Sequence, residues 1–263
     1  GVCLTCKYQL TAGISSAGTA KYFDNIDNAF TAALSAENSG CTLTLYKDCE
    51  LSQNIVIGNA TVTVDMNGHS ILLAYRIKVN DGGVLYLKNS GENGSIGLEM
   101  AVNKGGTLIN GTADDSSSAV SVFSVYADAA KCVEIYGGSC TGLTVNNGTS
   151  GIALYGGSYE LIHTNDLTDS TPVSALLAKG YAFAILNSVT HLPESIVDGS
   201  AVTLSEGIRN VTVVKHTDAD HKYSSVTGKC DCGYVCPHSD VDSKTGVCLT
   251  CKYQLTAGIS SAG

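Results

Sequence analysis

Tryptophan is absent from this chain, and only three of its 263 residues are proline. Nearly every backbone N–H can therefore donate, which excludes collagen-like and proline-rich linker architectures. Cations are scarce as well. Lys and Arg number 15 against 24 Asp and Glu, the only arginines are Arg76 and Arg209, and the net charge is −9. Nucleic-acid binding rests on Lys and Arg meeting phosphates, so no nucleic-acid partner is expected. No apolar run approaches the roughly 18 residues of a membrane span. Charged residues make up only 15% of the chain and hydrophobic ones 44%, so it can build a core and is not disordered. Paired carboxylates beside an arginine are also missing. Asp65, Asp81, Glu99, Asp114, Asp115, Asp128 and Glu134 are scattered, and His69, His163 and His191 have no partner in the sequence. No catalytic residue is assigned, and the expectation is a protein that is not an enzyme.

What is present begins with a duplication. GVCLTCKYQLTAGISSAG stands at Gly1–Gly18 and again, letter for letter, at Gly246–Gly263. The offset is 245 residues (246 minus 1), far beyond the roughly 20–50-residue period of a solenoid repeat. The simplest account is a tandem array whose unit is a whole domain, seen here as one period plus an overlap. Glycine is abundant (29 residues), and 11 cysteines suit an extracellular or cell-surface chain.

Residues 22–38 predict one helix, with Ile26, Ala29, Phe30, Ala33 and Leu34 on one face and Asp24 and Asp27 near its start. From Cys41 short runs of branched apolar residues take over, among them TVTVDM (61–66), VLYL (84–87) and VSVFSVY (120–126). Their joints are rich in Asn and Gly, residues that tolerate a left-handed backbone. VEIYGGS (133–139) and IALYGGS (152–158) match at a shift of 19 residues. Short strands with identical corners at that spacing predict a parallel β-helix, with a sandwich as the alternative. The fold class expected is mainly β: a right-handed parallel β-helix (41–212), an N-terminal capping α-helix within 19–40, and a small Cys/His-rich junction module (213–263). Residues 1–18 would be the end of a preceding junction.

The helix before LTLYKDCEL, then VDMNGHSI, VNDGGVLYLKNS and LYGGSYELI, resembles the pectate-lyase-like β-helix modules of large surface proteins from gram-positive anaerobes. The resemblance covers roughly residues 20–225. It implies the β-helix architecture and a surface location, but no particular reaction.

The C-terminal segment is the richest in chemistry. It divides into two similar units, His216-x4-His221-x8-Cys230-x-Cys232 and Cys236-x-His238-x9-Cys248-x2-Cys251, each with a TGxC turn. Similar Cys/His stretches accompany the resembled modules, although Cys230-x-Cys232 is one residue tighter than their usual pair. Thiolate and imidazole are the preferred donors of tetrahedral Zn²⁺, and a Cys-x2-Cys turn aims two sulfurs at one centre. One period holds nine distinct cysteines (11 minus the duplicated Cys3 and Cys6). A Cys₃His site and a His₂Cys₂ site would use five, leaving four for two disulfides. A disulfide-knit loop is the rival for the whole module; the spacing favours zinc. Haem attachment is excluded because Lys252, not His, follows Cys251.

Cys41/Cys49 and Cys132/Cys140 share a spacing of eight. A straight strand of that length spans about 26 Å, too far for a disulfide unless the chain turns between the pair. Disulfides Cys41–Cys49 and Cys132–Cys140 are expected, with cross-coil pairs or free thiols as alternatives. The function expected is a structural repeat of a long secreted or surface-anchored protein, a stalk, fibre or filament whose partners are neighbouring identical repeats. An adhesin binding a host glycan or protein through Tyr75, Tyr86, Tyr155, Tyr159 and Tyr181 is the first alternative, and a polysaccharide lyase or hydrolase the second.

Overall fold

A computed structural model describes residues 2, 7–16, 18–72, 75–146, 148–149, 151–216, 221–230, 235–236, 238 and 240–255. The chain opens with a hairpin of β1 (Ala12–Ser16) and β2 (Thr19–Phe23), followed by helix α1 (Ile26–Ala33). The first coil contains β3 (Cys41–Leu45), β4 (Cys49–Glu50) and β5 (Ile55–Ile57); the second, β6 (Thr61–Asp65), β7 (Ser70–Leu72) and β8 (Ile77–Val79). The third joins β9 (Val84–Lys88) to the long β10 (Ser95–Val102). Then come β11 (Thr107–Asn110) with β12 (Ser121–Ala127), β13 (Cys132–Ile135) with β14 (Ser139–Val145), and β15 (Ile152–Leu154) with β16 (Ser158–His163). Three strands finish the body: β17 (Tyr181–Leu186), β18 (Pro193–Val197) and β19 (Ile208–Lys215).

These elements form a β-solenoid of about five turns. Strands β3, β6, β9, β11, β13 and β15 pair in parallel, each one coil after the last. The pairing of Val133 with Ile152 and of Ser139 with Ser158 is the 19-residue shift expected from the YGGS corners. On the other side β4, β7, β10, β12, β14 and β16 do the same.

Parallel stacking places like side chains above one another, and the interior fills in columns. Leu43, Val64, Leu87, Asn110, Ile135 and Leu154 are successive rungs, as are Ile77, Met100, Val125, Leu143 and Ile162. All are buried, and each large apolar rung contributes about 1.5–3 kcal/mol by leaving water. Asn110 is the polar exception. Its side-chain amide donates to the Val120 carbonyl (2.9 Å) and accepts the Val120 N–H (2.8 Å), satisfying a corner that the ladder leaves open.

At each end of the stack the chain covers one of the two sheets with antiparallel strands. β1 pairs antiparallel with β3 and β2 with β1, while β19 pairs antiparallel with β16 and then with β17, itself paired with β18. Of the four sheet edges, β2 carries Lys21 and β18 carries Pro193, which discourage further strand addition there; β15 and β4 are the other two. Because Thr19–Phe23 is a strand, the helix is shorter than the 22–38 expected. The Asn25 side chain caps it, accepting the N–H groups of Asp27 (2.7 Å) and Asn28 (3.2 Å). Ile26, Ala29, Phe30 and Ala33 are buried as the periodicity predicts, and the helix packs on β1, β2 and β3. The Asp27 carboxylate accepts the Ser52 N–H and hydroxyl, tying α1 to the first coil.

The expected disulfides Cys41–Cys49 and Cys132–Cys140 are not formed; the eight described cysteines are all free thiols. The chain does turn within each pair, but it turns from one sheet into the other. Cys41 and Cys132 are rungs of the eight-stranded sheet, Cys49 and Cys140 of the eleven-stranded one. Burial pushes the Cys49 and Cys140 thiols from 9 up to about 12, the neighbouring Asp48 adding to the effect at Cys49 and Glu160 at Cys140. Below pH 9 these thiols stay protonated in both the folded and unfolded chain. Between 9 and about 12 only the unfolded chain ionises them, so stability falls as pH rises, by up to ~1.4 kcal/mol per pH unit for each thiol. Urea midpoints from pH 8 to 11 will therefore decline less steeply in a Cys49→Ala/Cys140→Ala variant than in the parent; equal slopes would refute this.

Candidate metal centre

Two turns of the same design build the C-terminal module. In each, a polar side chain accepts two successive N–H groups: Asp242 Oδ1 from Lys244 (2.8 Å) and Thr245 (2.9 Å), Ser224 Oγ from Val226 (3.2 Å) and Thr227 (3.3 Å). Those N–H bonds hold the Asp242 carboxyl below its ordinary value. A left-handed glycine follows, Gly228 or Gly246, its N–H bonded back to Ser224 or Asp242 (both 2.8 Å). The chain then runs back into an antiparallel bridge, Tyr223 with Cys230 and Val241 with Cys248. The TGxC repetition is thus a repeated turn that delivers a cysteine.

In the second unit the donors converge. One ligand atom from each of Cys236, His238, Cys248 and Cys251 lies within 4.8 Å of all the others. Cys236 Sγ and Cys248 Sγ are 3.7 Å apart, and Cys251 Sγ lies 3.4 Å from His238 Nδ1. A tetrahedral ion with Zn–S near 2.3 Å separates its sulfurs by about 3.8 Å along each edge, whereas a disulfide needs about 2.05 Å. The three sulfurs are buried, with Tyr223 and Tyr253 packed against them. The Tyr253 N–H points at Cys251 Sγ (3.4 Å), and the left-handed Lys252 makes the knuckle that allows this.

The local field prepares a thiolate. The Cys251 N–H, helped by His238, lowers the Cys248 thiol to about 6, while burial raises its neighbour Cys236. Both effects on Cys248 favour the thiolate, the state a metal requires. This set can bind a metal such as zinc. A His238 ligating through Nδ1 would keep its proton on Nε2, and Gly228 leaves room for the ring, since a Cβ there would come within 3.2 Å of Nε2.

Residues of the first unit also lie close together. His216 Nε2 lies 3.7 Å from Cys230 Sγ, the His216 and His221 rings are 4.8 Å apart, and His221 Nδ1 is 2.9 Å from the Tyr223 hydroxyl. Cys232, the fourth member expected, lies outside the described residues, as do Cys3 and Cys6. Among the described residues the convergent four-donor set is that of the second unit.

Elsewhere Asp65 and Glu99 serve the fold. Asp65 accepts from Asn67 and Ser90 at a corner and pairs with Lys88 (3.2 Å), and Glu99 pairs with Arg76 on the next coil (3.2 Å). Of the asparagines that head Asn-x-Ser/Thr sequences, Asn59 and Asn93 are left-handed corner residues, Asn210 is a left-handed residue within β19, and Asn110 is buried. Tyr159, expected among exposed aromatics, is an interior rung only 1% exposed, its hydroxyl donating to the Gly156 carbonyl (3.0 Å).

No family model, curated protein or solved structure matches this chain.

Proposed function

We propose that this chain is one unit of a tandem array in which stiff β-solenoid domains are joined by zinc-pinned knuckles, forming a stalk or fibre of a long secreted or surface-anchored protein. The observation that carries the reading is the composition of the duplicated segment. Its C-terminal copy supplies the donors Cys248 and Cys251; its N-terminal copy supplies β1, a strand of the solenoid. The same hairpin closes at both ends, Val2 with Gln9 and Val247 with Gln254, each with a left-handed lysine, Lys7 or Lys252. In an array the second thiolate of each knuckle stands six residues (12 minus 6) before the first strand of the next solenoid. A link that short, clamped by a metal, transmits force and orientation between domains. Domains whose first and last coils are each partly covered by antiparallel strands suit beads on such a string.

The finer readings follow from general rules. Parallel crossovers are right-handed in nearly all sheets, which favours a right-handed winding. Helix α1 would cover the first coil, and the resemblance to pectate-lyase-like surface modules would place the array outside the cell without an enzymatic role. Electron microscopy of the full-length product tests this. Evenly spaced beads on a stiff thread, becoming flexible in chelator, support the array; a single isolated particle would refute it.

A further inference from the structure

A cleft of about 520 Å³ lies where the YGGS corners stack, and the array reading leaves it unused. Its wall is aromatic. The Tyr136 and Tyr155 rings are stacked, with centroids 4.4 Å apart and planes 7° from parallel, and Tyr181 meets Tyr155 edge-on at 5.7 Å. The solenoid register sets this ladder. Ile135 pairs with Leu154, so Tyr136 and Tyr155 are successive rungs, and one coil earlier the rung is Gly111, which has no side chain to continue the stack. The Tyr136 hydroxyl donates to Glu134 (3.0 Å), which fixes the ring before any ligand arrives.

The rest of the cleft is polar and open for a reason of backbone chemistry. Beside each of the two stacked rings runs a glycine pair, Gly137-Gly138 and Gly156-Gly157. A Cβ on Gly156 would stand 2.2 Å from the Tyr136 carbonyl oxygen, and one on Gly137 2.4 Å from that of Ser116. No other residue fits, so main chain rather than side chain forms the floor. The rim adds small hydroxyls, among them Ser116, Ser117 and Ser158, and one cation, Lys215.

A wall of tyrosine rings beside short hydroxyls matches the two aspects of a sugar: apolar C–H groups that pack on aromatic carbon, and hydroxyls that hydrogen-bond at the edges. A polyanion would need more than one cation and would meet a chain of net charge −9. We propose that this cleft binds a neutral pyranose unit of a glycan, seated against the Tyr136–Tyr155–Tyr181 wall. The inference does not depend on the array or on the metal.

Titration calorimetry of the full chain with neutral tetrasaccharides (cello-, malto- and galacto-linked) and a galacturonate oligomer as the acidic probe tests it. We expect at least one neutral sugar to bind. Tyr155→Ala should weaken it about tenfold or more, and Ala113→Trp, which fills the cleft without removing a ring, should do the same. Tyr86→Ala, an exposed tyrosine outside the cleft, should leave affinity unchanged. Should Tyr155→Ala lose its fold by circular dichroism, Ala113→Trp carries the test. Three results would overturn the proposal: no neutral sugar binding at millimolar concentration, binding indifferent to both variants, or preferential binding of the acidic oligomer that is lost in Lys215→Ala.

Discussion

Chelation of the metal will unfold the knuckle between Cys236 and Tyr253 and leave the solenoid standing. The apolar cluster of the knuckle consists of three cysteines with two partly buried tyrosines. A core that small cannot offset the chain entropy of ordering the turns around it. Structural zinc supplies about 10–16 kcal/mol in comparable small folds, and without it two buried sulfurs only 3.7 Å apart face one another. Hydrogen exchange reads the outcome directly. The N–H groups of Cys236, Cys248 and Lys252, bonded to the carbonyls of Gly228, Tyr253 and Cys248, should lose protection in chelator. Those of Val125 and Leu143 in the solenoid, paired rungs of β12 and β14, should keep theirs. Cys248→Ser should behave as the chelated protein does without chelator. Protection that survives chelation and disappears only with a reductant would assign the module to disulfides.

The second large effect is expected at a corner glycine. Gly83 and Gly106 occupy equivalent positions one coil apart, as the second glycines of NDGG and NKGG. A Cβ on Gly106 would lie 2.3 Å from the Val79 carbonyl oxygen, and on Gly83 2.2 Å from that of Ile57. Both obstacles are backbone of the preceding coil, where Val79 and Ile57 also accept the N–H groups of Asn103 and Asn80 (both 2.8 Å). Neither a rotamer change nor a small shift relieves the clash without prising the coils apart. Gly106→Ala should cost ~4–5 kcal/mol, the upper extreme for a single substitution. Gly58 provides the control. A Cβ there would find its nearest neighbour at 3.8 Å, and Gly58→Ala should change stability by less than ~1 kcal/mol. Urea unfolding decides the matter, and similar midpoints for the two variants would refute the close-packed corner.

These glycines show where sequence reading succeeds and where it stops. Asn-Gly corners reveal where the chain turns, and the YGGS match gave the correct coil register. Only the structure separates a glycine in the left-handed region, such as Gly105, from its neighbour Gly106, needed because the preceding coil lies too close. β10 alternates through Ile96, Leu98 and Met100, but its pairing moves from β7 to β8 along its length and its register with β12 shifts between Ile96 and Glu99, which no local pattern announces. The strand character of Ala12–Ser16 is equally hidden. AGISS is small and weakly patterned, and its partner in β3 lies about 30 residues away. The disulfides were misjudged because a spacing of eight shows that the chain can turn, not which sheet each sulfur enters. Cys-x2-Cys is legible because its geometry is local; Cys236-x-His238 is marked as its partner by the spacing of the unit, and the structure brings the four donor atoms within 4.8 Å of one another.

Zinc-edge X-ray absorption on the purified chain, after metal quantitation, tests the central claim most directly. The account predicts a first shell of three sulfurs at about 2.3 Å and one nitrogen at about 2.0 Å, with that signal lost in Cys248→Ser. A protein that takes up no zinc while its C-terminal thiols are oxidised in pairs, or zinc held only by oxygen and nitrogen, would contradict it.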